Sequence, residues 1–81
     1  MLTHGNIEVK DMNLTTAQEG KEYIVRAVET GDRELDAFLF SLGCYSGEPI
    51  TVVSHRWGGC TVAIKDGRYN IDNQLAKVIL I

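Results

Sequence analysis

The sequence predicts a small all-β domain with one short helix, built as a five-stranded, partly open barrel. Three observations carry this expectation. Short runs rich in β-branched residues recur along the chain, separated by glycine turns. Only one stretch, residues 33–42, has the clear periodicity of a helix. The chain has 81 residues, which is room for one domain and a modest core.

The first strand is "YIVRAV" (23–28), entered through a turn at Gly20 and ended by "ETGDRE". Asp32 then stands where a helix N-cap is needed, because its carboxylate can accept from free backbone N–H groups. Glu34 suits the positive end of the helix dipole. Leu35, Phe38, Leu39 and Leu42 follow at i, i+3, i+4 and i+7 and fall on one stripe, expected to pack on the core. Gly43 supplies the left-handed residue that closes a helix.

"YSGEP" (45–49) turns the chain into "ITVVSH" (50–55), and "RWGG" is a hairpin loop. In "CTVAIK" (60–65) Cys60, Val62 and Ile64 share one face, which predicts that Cys60 is core. Asp66-Gly67 predicts a type I′ hairpin turn, with positive φ at both residues, returning the chain as "RYNI" (68–71). "DNQLA" (72–76) fits one helical turn capped by Asp72, and "KVILI" (77–81) is a last apolar strand. Strands joined by tight turns must form an antiparallel meander. A meander this small has to curl on itself to enclose a core, which gives a barrel of the SH3-like kind. Residues 1–11 are expected to be an arm, disordered or loosely attached, with residues 12–81 as the domain.

Composition excludes several functions. The net charge is -3 and no basic run exists, so the electrostatic footprint of nucleic-acid binding is missing. No apolar run approaches the roughly 18 residues that a membrane helix needs. The start "MLTHGNIEVKD" has no basic n-region and no apolar h-region, so a cytoplasmic location is expected. In a reducing compartment Cys44 and Cys60 read as free thiols. Together with His4 and His55 they show no metal-site spacing such as C-x-x-C, so no metal ligand is assigned. There is no phosphate-binding glycine loop and no nucleophile–base motif, so no catalytic residue and no cofactor is assigned.

What remains is an interaction surface. Phe40 lies opposite the apolar stripe of its helix and is expected to be exposed. Singly exposed apolar residues are ordinary, yet aromatics are also enriched at the centres of interfaces. Trp57 either folds its ring back over the barrel or meets a partner alongside Arg56. Phe40, Tyr45, Arg56 and Trp57 are the candidate partner-binding residues. Strand 23–28, if it lies at an edge, offers a site for pairing with a second copy.

The order of elements resembles the ferrous iron transport protein A family (FeoA), small cytoplasmic SH3-like domains. The residues that carry the resemblance are Leu14, Gly20, "YIVRAV", "FLFSLGCYSGEPITVV", "CTVAIKDGRYNID" and "LAKVILI", over about residues 12 to 81. The helix departs from the pattern, reading "ELDAFLF" where many members carry an Arg-Leu pair. The resemblance implies a non-enzymatic accessory of ferrous iron uptake. Its partner would be the membrane iron transporter with its cytosolic GTPase domain. An alternative is a stand-alone relative of the SH3-like C-terminal domain of metal-dependent repressors, and a third is a metal carrier.

Overall fold

A hairpin-linked meander organises the molecule. In the computed structural model residues 12–81 are described, and the expected N-terminal arm lies outside them. The chain enters through a 3-10 turn, Leu14–Thr16, capped by Asn13. Then follow β1 (Glu22–Ile24), β2 (Ala27–Val28), α1 (Arg33–Leu42), β3 (Pro49–Arg56), β4 (Gly59–Ile64), β5 (Gly67–Asp72), α2 (Asn73–Lys77) and β6 (Ile79–Leu80). Strands β1-β3-β4-β5 form one antiparallel sheet in that order, and β2 pairs with β6 in a second. The two sheets do not close on each other, so the result is a partly open, SH3-like β-rich fold.

The expected strand 23–28 is bent in two. Its first half, β1, pairs with β3, and its second half, β2, pairs with β6. The corner is Val25–Arg26. The Val25 N–H donates to Glu48 O at 2.9 Å, whereas the next N–H, of Arg26, donates to Leu80 O at 2.7 Å. A strand that serves both sheets must turn where it changes partner, and the buried Val25 side chain anchors the bend in the core. The last strand is shorter than the expected 77–81, because Lys77 completes α2 and the Val78 N–H still donates to Leu75 O.

The core lies between the sheets. Ile50 and Val52 from β3, Cys60, Val62 and Ile64 from β4, and Ile79 from β6 are all buried, which places Cys60 in the core as its face predicts. An extra residue at Val53 shifts the β3–β4 register, pairing Val52 with Val62 but Ser54 with Thr61. The caps are as the sequence predicts. The Asp32 carboxylate accepts from the N–H groups of Glu34 and Leu35, Gly43 closes α1 at φ 94°, and Asp72 accepts from the Leu75 N–H.

The β4–β5 hairpin forms where Asp66-Gly67 predicts one, but the turn is displaced by one residue. Ile64 pairs with Gly67, so the loop is Lys65-Asp66, and of those two only Lys65 has positive φ, 53°. That is the sign pattern of a type II′ turn rather than type I′. Gly67 is consumed inside the strand instead, because the Tyr69 ring crosses it and a Cβ there would lie 2.3 Å from the Tyr69 hydroxyl.

Candidate functional site

Helix α1 rests on the barrel through less of its stripe than its periodicity predicts. Leu39 is 1% exposed, but Leu35 is 38% and Phe38 51% exposed. Leu42 is partly buried against the core. The helix is therefore anchored through Leu39, while Leu35 and Phe38 stand beside a gap. The gap is a groove of about 430 Å³, walled by Leu35 and Phe38 on one side and by Ile71, Leu75 and Val78 on the other. Its apolar lining is the half of the stripe that the core does not use.

Phe40 is exposed, as its place on the helix predicts. It is not isolated. Its ring stacks on Tyr45 just beyond the helix, with centroids 4.5 Å apart and planes at 28°. The left-handed cap at Gly43 makes this possible, because it reverses the chain over one turn and returns Tyr45 beside α1. Lys65, at the tip of the β4–β5 hairpin, lies 5.8 Å from the Tyr45 ring centroid and forms an ion pair with Glu48. The hydrogen bond it donates to the Glu48 carboxylate holds the Lys65 ammonium above its ordinary pKa, so it stays charged at neutral pH. Tyr69 and Gly67 of β5 complete this shallow depression.

Trp57 is fully exposed at the tip of the β3–β4 hairpin, which removes the reading in which its ring folds back over the barrel. The hairpin fixes its backbone, with Arg56 paired to Gly59 across the loop. Arg56 is held by a short chain of hydrogen bonds. Its Nε donates to Thr61 Oγ1 at 2.9 Å, and that hydroxyl donates to Asn70 Oδ1 at 2.6 Å. The four sequence-predicted residues thus form two pairs rather than one cluster. Phe40 and Tyr45 sit near the end of β4 and Arg56 and Trp57 near its start, about 17 Å apart at about 3.3 Å per residue. Lys65, Tyr69 and strand β5 belong to the same surface and were not legible in the sequence, because only the hairpin register brings them beside Phe40 and Trp57.

Among the described residues, those weighed as metal ligands do not converge. Among the described residues no three of His, Cys, Asp and Glu come together. Cys44 and Cys60 are free and buried, and burial pushes the Cys44 thiol up to about 11 and Cys60 upward as well. Thiols held protonated in this way are poor ligands and poor nucleophiles at neutral pH. His55, next to last in β3, is exposed, yet its Nε2 lies 2.7 Å from Ala17 O, which fixes its ring against the entry segment. His4 lies outside the described residues. Among the described residues no helix is long and apolar enough to cross a membrane.

Comparison with known proteins agrees with the fold. No curated protein matches the sequence. The chain is similar in structure to the crystal structure of an iron uptake regulatory protein (FeoA), with a TM-score of 0.71 and 26% identity over 83% of this chain and 89% of that one. The family model for the FeoA domain matches residues 12–81, the whole of the described structure. The chain belongs to the FeoA domain family.

Proposed function

We propose that this protein is a non-enzymatic cytoplasmic accessory of ferrous iron uptake, which docks on the cytosolic GTPase domain of the membrane iron transporter. Membership of the FeoA domain family over residues 12–81 carries this reading. Its similarity in structure to an iron uptake regulatory protein supports it.

The surface chemistry suits docking better than catalysis. Aromatic residues stand in water on two rigid supports, a stacked pair beside a helix cap and a hairpin tip, each next to a cation. Tyr, Trp and Arg dominate interface hot spots. The buried thiols are raised out of the reactive range, and the exposed carboxylates Asp32 and Asp72 are occupied as helix caps.

The experiment is ferrous iron uptake in cells deleted for this chain, complemented with the wild type or with a Phe40→Ala/Trp57→Ala double variant. The expected result is that uptake falls on deletion, returns with the wild type and does not return with the double variant at equal expression. Uptake unchanged by the deletion would overturn the role.

A further inference from the structure

Strand β5 lines three depressions on the surface of the described residues. Gly67 and Tyr69 line the one beside Phe40 and Tyr45, while Asn70, Ile71 and Asp72 line both the groove under α1 and the hollow beside Arg56 and Trp57. Among the described residues it is also a sheet edge, pairing with β4 alone.

The register decides which backbone groups are left over. Ile64 and Gly67 flank a two-residue loop, so they form a hydrogen-bonded pair, as do Val62–Tyr69 and Cys60–Ile71. The Asn73 N–H donating to Gly58 O at 2.9 Å continues the same alternation. The N–H and C=O groups of Arg68 and Asn70 therefore point away from the sheet. Both residues are exposed, and among the described residues no backbone group pairs with them.

The two faces of this edge differ in chemistry. The core side opens into the apolar groove under Leu35 and Phe38. The other side carries Asn70, Thr61 and Arg56 in their hydrogen-bonded chain. Arg68 stands two residues before Asn70 on that same face.

The geometry points to β5 as the receiving edge for an extended segment of the partner, which adds to the sheet as a further strand. Its alternate side chains would be apolar where they enter the groove, and acidic on the opposite face beside Arg68. Main-chain bonds would supply affinity and the groove selectivity, as in other strand-addition modules. A six-residue strand spans about 17–20 Å, so a segment paired along β5 would run from the depression at Phe40 and Tyr45 to the hollow at Arg56 and Trp57. The inference rests on the proposed docking function and names the mode by which it occurs.

The test is amide hydrogen exchange by NMR on the full chain, alone and with the transporter's cytosolic GTPase domain. Strand addition predicts that the Arg68 and Asn70 amides slow at least tenfold on binding, while Tyr69, already bonded to β4, changes little. Affinity of Asn70→Pro, which removes the outward N–H, is compared with Asn70→Ala, which removes only the side-chain amide. Proline is tolerated on an outward edge position, and the expected loss is at least tenfold beyond that of the alanine variant. If the proline variant does not fold, exchange in the wild type decides alone. Binding without protection of Arg68 and Asn70 overturns strand addition and leaves the docking function standing. Protection that appears in the free protein as its concentration rises, with a dimer in sedimentation, also overturns it, since the occupant is then a second copy. Absence of binding in every nucleotide state overturns both.

Discussion

Leu39→Ala and Phe38→Ala, adjacent on α1, should differ sharply in cost although the sequence places both on one apolar stripe. Leu39 is 1% exposed and is the one residue of α1 that is fully buried. Replacing it by alanine deletes three carbons, about 2.4 kcal/mol at about 0.8 kcal/mol each. A residual cavity raises the loss to about 3 kcal/mol. Phe38 is 51% exposed, so about half of its contact is with water already. Its loss is about 1 kcal/mol on the same area argument. For a chain of this size total stability is on the order of 4–12 kcal/mol, so the first substitution removes a large share of it. The assay is urea unfolding followed by circular dichroism, with both variants required to keep the wild-type slope. A Phe38→Ala variant as unstable as Leu39→Ala would refute the reasoning. It would mean that α1 closes on the barrel in solution and that the groove beneath it is shut.

Gly59→Ala should cost at least about 3 kcal/mol, or about 12–24 °C in Tm. An added Cβ would lie 2.1 Å from the Ile71 carbonyl oxygen and force β4 and β5 apart, and differential scanning calorimetry reads the shift. Stability should also fall as pH rises above about 9. Burial holds the Cys44 thiol up to about 11, so in that window the unfolded chain releases a proton that the folded chain keeps. The stabilisation is fully present below the ordinary thiol pKa and is lost toward pH 11. It amounts to about 2–3 kcal/mol at about 1.4 kcal/mol per pH unit. The difference between wild type and Cys44→Ala in urea denaturation across pH 8 to 11 isolates it, and a flat difference would count against the burial argument.

Local signals in the sequence are decisive where one residue type answers one local need. Asp32, Gly43 and Asp72 are caps because a short acceptor and a residue without Cβ suit helix ends whatever the rest of the fold does. Cys60 is core because alternation along β4 is undisturbed. The features that the sequence does not reveal all depend on what packs against what. Helical periodicity shows that Leu35 and Phe38 share a face with Leu39, but not how far the sheet extends beneath that face. The bend at Val25–Arg26 arises because one strand serves two sheets, and nothing in "YIVRAV" is punctuated to show it.

The candidate surface was legible in part for the same reason. Phe40 could be assigned to the solvent side of α1, and Trp57 to a loop, from position alone. The stack of Phe40 on Tyr45 depends on the turn that Gly43 imposes. The open backbone of Arg68 and Asn70 depends on the register of a hairpin whose turn sits one residue before the Asp-Gly pair that predicts it.

The most direct test of the account is an NMR titration of the labelled chain with the transporter's folded cytosolic GTPase domain, nucleotide-free, with GDP and with a GTP analogue. Docking predicts shifts that cluster at Phe40, Tyr45 and Trp57 in at least one of these states. The absence of any shift in all three would contradict docking on that domain.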